Sequence, residues 1–241
     1  MDEKKISFLD HLEELRRRIL ISILVVLVFS IVSFVFSRNI IDIIIRIGRL
    51  DAAYFFAPAE AFTAQFKIAL FMGVIVAFPL ILYQIWAFIG PGLSGIEKKI
   101  SLSFIFSGVA LFIIGLAFGY FVIIPYGLIF LFSFASTNVQ PLINISKYLN
   151  FFIWCLLGAG ILFQLPLIIF TLIQLGIVDA KTIYRHRAEA IVGILIVCAV
   201  ITPTGDFFTL LLISIPLILL FELSIIAARL TTSRKKLAEP D

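Results

Sequence analysis

The sequence predicts an all-α, polytopic membrane protein with six transmembrane helices. Three observations predict it: six long apolar segments, very little charge inside them, and positive charge that alternates between the stretches joining them. The chain has 241 residues, 62% hydrophobic and only 14% charged. Its apolar segments run 19–36, 68–89, 100–135, 148–178, 190–201 and 207–228. A hydrocarbon core of ~30 Å takes ~20 apolar helical residues, a length four of the six exceed. Backbone groups in lipid must bond within their own segment, so each segment reads as a helix. A water-soluble helical core is excluded, because almost no polar face is left for solvent.

Residues 1–18 form a cytoplasmic amphipathic segment. Phe8, Leu12, Leu15 and Ile19 recur at helical spacing on one face, with Asp10, Glu13, Glu14, Arg16 and Arg17 on the others. Ser7 and Asp10 make a helix-start pattern, so a short helix lying along the membrane surface is expected. Glu13 can meet Arg17 and Glu14 can meet Arg18 at i,i+4, pairs worth only ~0.2–0.5 kcal/mol each. Nothing in composition alone distinguishes this from an ordinary solvated surface helix. After the first span, the connection 37–66 carries apolar pieces at 40–47 and 54–64 that Gly48 and Pro58 break. Loops of this length usually have structure or a role, and short interfacial helices fit it. The next connection on that side, 136–147, is polar and nearly uncharged.

Pro79, Pro125, Pro166 and Pro216 lie within spans, where each removes a backbone hydrogen bond and is expected to bend its helix. Spans three and four, 36 and 31 residues long, are too long for a straight crossing and should tilt, kink or project. A curved, concave bundle follows from these features. Span five is the opposite case. Its 12 apolar residues give about 18 Å of helix, so it needs local thinning, a partner or snorkelling flanks. Gln164, near the middle of span four, is costly in lipid and should face the bundle interior. It reads equally as glue to a neighbouring helix or as a contact for something inserted there.

Orientation follows from charge. Fourteen of the 19 Lys and Arg fall on the side of both termini, and five (Arg38, Arg46, Arg49, Lys67 and Lys147) on the other. The positive-inside rule then places both termini in the cytoplasm, and the net charge of +4 is a topology signal rather than a nucleic-acid footprint. Acidic residues open the chain and no small-residue cleavage site follows span one, so no cleavable signal peptide is expected. The organisation is a single membrane domain over 1–241: the 1–18 segment, a six-helix region at 19–228 and a basic cytoplasmic tail at 229–241.

The sequence offers no chemistry. It has no metal-spaced His/Cys cluster, no phosphate-cradling glycine loop and no Ser/His/Asp set. Cys155 and Cys198 lie in apolar spans and read as small buried hydrophobes. His11 and His186 sit at cytoplasmic edges without ligand-spaced neighbours. No enzyme activity, cofactor or metal is expected; a binding or assembly role is.

Three stretches then carry a resemblance. They are Phe8-Leu9-Asp10-His11-Leu12-Glu13-Glu14-Leu15-Arg16-Arg17-Arg18; Pro58-Ala59-Glu60-Ala61-Phe62 followed by residues 78–93 (FPLILYQIWAFIGPGL) and Glu97-Lys98-Lys99; and Thr202-Pro203-Thr204-Gly205-Asp206 with Ile215-Pro216 and Phe221-Glu222-Leu223. Their order and the span pattern resemble the TatC family, the multispanning receptor subunit of the twin-arginine protein translocase. The resemblance implies recognition of twin-arginine signal peptides on folded cargo and assembly with TatA- and TatB-like single-span proteins in the bacterial cytoplasmic (inner) membrane. Lipid is a further partner, and a homo-oligomer is compatible with it. By motif, Glu14 and Glu97 map to acidic positions that read the arginine pair, and Arg16 and Phe88 to the same cytoplasmic region. Two guanidinium groups want two carboxylates in bidentate geometry. Glu97 has no arginine beside it, whereas Glu14 competes with Arg17 and Arg18. At Gln164, where relatives often carry Glu, hydrogen bonding to an inserted helix or peptide survives the change but a negative charge does not. The alternative from another class is a secondary transporter of a small solute, for which an internal repeat and a charged midplane site would be expected; neither is visible.

Overall fold

The computed structural model describes residues 8–48, 52–89, 98–136, 138, 140–174, 177–202 and 205–238, without the side chains of 8, 9, 89, 98–103, 180 and 229–238. Its regular elements are helical: α1 Phe8–Phe34, α2 Ser37–Ile47, α3 Pro58–Ile89, α4 Lys98–Phe118, a π turn at Gly119–Ile123, α5 Ile124–Phe132, α6 Ile145–Leu162, α7 Leu165–Gln174, α8 Ala180–Arg185, α9 Arg187–Ile201 and α10 Phe207–Ala238. The chain divides into two compact units, one made of 1–46 and 55–109, the other of 47–54 and 110–241.

In the first unit, α1 packs along α3. No Gly or Pro falls between Phe8 and Phe34, so nothing breaks the helix where the amphipathic segment meets the apolar one. The separate surface helix expected from the sequence is instead the leading turns of a single 27-residue helix. Ser7, the expected start signal, lies outside the described residues. α3 buries Ala69, Gly73 and Ala77, small residues four apart that let two helices approach closely in lipid. At Gly73 the approach is so close that a Cβ would lie 2.0 Å from Ser30 Oγ and 2.9 Å from Ser30 Cα. Pro58 proves to be the first residue of α3 rather than a break in the loop, a position where its missing N–H costs nothing. Glu60 secures that start, its Oε2 accepting the Phe56 N–H at 2.9 Å.

In the second unit, α6 is the most buried helix. Gly115 of α4 faces the Ala159 carbonyl and Gly160 Cα, which a Cβ would meet at 2.7 and 2.9 Å. The connection before α3 and the one before α6 join here: Tyr54 N–H donates to Ile143 O at 2.9 Å, and Ile145 N–H to Tyr54 O at 2.8 Å. Gly48, just past α2, is hydrogen-bonded through its backbone to Tyr148. Asn144 caps α6, its Oδ1 accepting from Lys147 N–H at 3.0 Å. Asp206 does the same for α10 at Thr209 N–H, 2.7 Å, after a turn in which Gly205 takes φ +60°, a conformation that favours glycine.

The four span prolines divide into two kinds. α3 and α10 run through Pro79 and Pro216 without interruption. Pro125 follows the π turn, and Pro166 follows a break between α6 and α7, each as the second residue of the helix it opens. At Pro166 the break leaves a first-turn N–H that would be unpaired in any case, so proline costs least there. Five helical stretches are long and apolar enough to cross a membrane: Asp10–Phe34, Pro58–Phe88, Phe104–Phe132, Ile145–Gln174 and Phe207–Ala228. The expected short span is α9, at 15 residues.

Candidate functional site

The site builds up from the α1–α3 pair. His11 lies against Phe88, Arg18 against Gln84 and Ser30 against Gly73, so numbers rise on α1 as they fall on α3 and the helices are antiparallel. At the end holding the first turns of α1 and the last of α3, His11, Glu14 and Arg18 occupy one stripe at spacings of three and four. Gln84 and Phe88 face it one turn apart. Arg18 donates through Nε to Glu14 Oε1 at 3.0 Å, bonds the same oxygen through a terminal nitrogen, and reaches Gln84 Oε1 through the other at 3.2 Å. The guanidinium therefore ties α1 to α3. Both bonds to Glu14 land on Oε1; among the described residues none is made to Oε2. The pair is partly exposed, 22% for Arg18 and 28% for Glu14. A pair of that exposure is worth ~0.2–1 kcal/mol.

His11 stacks on Phe88 with ring centroids 4.3 Å apart and planes at 16°. Two residues back, Trp86 stacks on Phe104 of α4 at 4.7 Å, which ties α3 to α4. Residues 90–97 join these two helices in sequence. That segment carries Glu97 and lies outside the described residues. Of the residues picked from sequence, Glu14 and Phe88 come together at this end of α1–α3. Arg16 is on α1 but exposed, and no ion pair joins Glu13 to Arg17 among the described residues. Gln164 belongs to the second unit, at the joint between α6 and α7. It is 8% exposed, its N–H donating to Ile161 O at 2.9 Å and its carbonyl accepting from Ile168 N–H at 3.0 Å. Among the described residues no group of three or more His, Cys, Asp or Glu could hold a metal.

His11 and Gln84 were given no role from sequence. Their signal was spacing: His11 precedes Glu14 by three residues, and Gln84 precedes Phe88 by four. Only the antiparallel pairing turns those two spacings into one cluster.

Comparison with known proteins gives one answer. The family model described as Sec-independent protein translocase protein (TatC) matches residues 10–216. A protein of that name from Koribacter versatilis is 38% identical, covering 92% of this chain and 84% of its own; one from Carboxydothermus hydrogenoformans is 33% identical over 95% of each chain. A crystal structure described as the twin-arginine translocase receptor TatC superposes with a TM-score of 0.80 at 32% identity, covering 92% of this chain and 99% of that one. The chain therefore belongs to the TatC family of Sec-independent protein translocase proteins.

Proposed function

We propose that the end of the α1–α3 pair bearing Glu14, together with Glu97, is where this chain reads the paired arginines of signal peptides. The chain is a core subunit of the twin-arginine translocation system and a multi-pass membrane protein, and its family is one of transport proteins rather than enzymes. In the proposed topology α9 is a sixth crossing, so both termini lie in the cytoplasm and the arginine-reading surface faces it, in a bacterial inner membrane. TatA- and TatB-like single-span proteins are its proposed partners. Gln164 is the proposed intramembrane contact for a partner helix or for the apolar part of the signal peptide.

One observation carries the reading. Glu14 is positioned by Arg18 through one carboxylate oxygen, and the other oxygen takes no bond among the described residues. A second guanidinium can bind there without first dismantling the cluster. The first signal arginine is assigned to Glu97, which has no arginine beside it in sequence, and the second to Glu14. Phe88, held flat by His11, offers a face on which a planar guanidinium stacks. Arg16 belongs to the same surface by motif and repels misplaced cations.

The test is the affinity of a twin-arginine signal peptide for the full chain in lipid nanodiscs. Glu97→Gln should weaken binding roughly tenfold or more, the scale of a hydrogen bond to a charged group, and Glu14→Gln by less. The double variant should be non-additive, because the two carboxylates share one ligand. Arg18→Gln removes a like charge beside the incoming guanidinium and should tighten binding about two- to fivefold. Wild-type affinity in Glu97→Gln, or strict additivity, overturns the proposal.

A further inference from the structure

At the end of the second unit opposite to that occupied by the basic tail in the proposed topology, α5 and α6 enclose a groove of about 490 Å³. That is within the usual ~300–1,000 Å³ of ligand pockets. Leu128 and Tyr148 form its floor and are buried, at 6% and 4% exposure. Leu142, Lys147, Asn150 and Trp154 form its open rim. Lys147, Asn150 and Trp154 follow one another at three and four residues, one stripe of α6, which sets the indole about 10 Å along the helix from the ammonium-bearing residue.

Two features choose the occupant. Residues 133–154 contain no Asp or Glu, and no ion pair engages Lys147 among the described residues, so among those residues this cation has no anion of its own. Trp154 is 59% exposed on a helix long and apolar enough to cross a membrane. Whatever covers that indole arrives from within the bilayer, and whatever neutralises Lys147 sits at the bilayer's edge. A single molecule with an anionic head and an apolar tail satisfies both conditions. A tryptophan near a membrane boundary with a lysine toward the water is the usual anchoring arrangement.

We propose that this groove holds one anionic phospholipid, its phosphate on Lys147 and an acyl chain lying over Leu128 against Trp154. No residue of the α1–α3 surface takes part, so the two proposals stand or fall separately.

The full chain has two tryptophans, and Trp86→Phe leaves Trp154 as the single emitter while keeping a ring against Phe104. This chain is placed in phosphatidylcholine vesicles doped with either phosphatidylglycerol or phosphatidylcholine carrying brominated acyl chains, which quench an indole on contact. Brominated phosphatidylglycerol should quench about fivefold more effectively at equal mole fraction, the preference one lysine near a membrane surface supplies. Lys147→Gln should abolish the preference while leaving quenching by the zwitterionic lipid intact, so that loss of fold is told apart from loss of charge. Lys147→Arg should retain it. Equal quenching by the two lipids, or a preference that persists in Lys147→Gln, overturns the proposal. Quenching that falls as the chain is packed more densely assigns the groove to a second copy and overturns it as well.

Discussion

Glu14 and Gln164 show how differently two polar residues can be supported. Glu14 is a charge at a partly wet helix end, positioned by Arg18; its partner was legible from i,i+4 spacing alone. Gln164 is an uncharged amide inside an apolar unit, and its place in the chain was only half legible. Sequence put it in mid-span, where Pro166 two residues on suggested a kink. The structure sets it in a break, with α6 ending at Leu162 and α7 starting at Leu165. Pro166 stands second in α7, where its missing N–H costs least, so the break falls just before it and Gln164 becomes part of the joint. A buried amide here has two separable duties. As packing glue it contributes ~0.6–2 kcal/mol, and Gln164→Leu should lower the melting temperature of the purified chain. As the proposed contact for an inserted helix it is expected to matter to transport even where the fold is intact. We therefore predict that Gln164→Leu impairs export at temperatures well below its own unfolding, while Gln164→Glu, which still accepts hydrogen bonds, exports closer to the wild-type rate. Normal export by the Leu variant would leave only the packing duty.

At the scale of elements, the seam between α1 and α3 decides how well the proposed arginine-reading end is held. Ala69, Gly73 and Ala77 are each visible in the sequence, but with no charged residue beside them they read as ordinary span residues. Their role depends on which helix lies opposite, and hydropathy does not encode that. The same gap hid His11 and Gln84, which become neighbours of Phe88 and Arg18 only through the antiparallel pairing. Gly73 tests the seam. A methyl there meets Ser30 Oγ at 2.0 Å, and also Ser30 N and Cα at 2.8 and 2.9 Å. Gly73→Ala should force the helices apart at ~1–3 kcal/mol, the usual scale of overpacking. The loss should reach signal-peptide binding even though Gly73 is eleven residues from Gln84 along α3. Adding Ser30→Ala removes the hydroxyl but not the backbone atoms, so the double variant should stay impaired in thermal unfolding and in binding. Full rescue by Ser30→Ala would mean that only the side chain was in the way, and that the backbones are free to slide.

For the whole molecule, the parity of crossings fixes which side the tail occupies. Six apolar segments are visible in the sequence, and five helical stretches are long and apolar enough to cross a membrane without help. The sixth, α9, has 15 residues, or about 22 Å of helix against a core of ~30 Å. If α9 crosses, the count is even and both ends share a side; if it lies within one leaflet, the count is odd and the tail is external. Length argues against crossing, but charge argues for it more strongly. An external tail would put Arg229, Arg234, Lys235 and Lys236 where translocated segments rarely carry positive charge. Mismatch costs only fractions of a kcal/mol per Å, so a deficit of several ångströms is tolerable. The native thiols are well suited to the experiment, since Cys155 and Cys198 are both buried, at 2% and 0% exposure, and should stay silent toward an impermeant maleimide. In intact cells Ser136→Cys should label from outside, while Ser233→Cys should label only after the membrane is permeabilised. Labelling of Ser233→Cys in intact cells would place the tail outside, take α9 out of the set of crossings and remove the even-numbered topology.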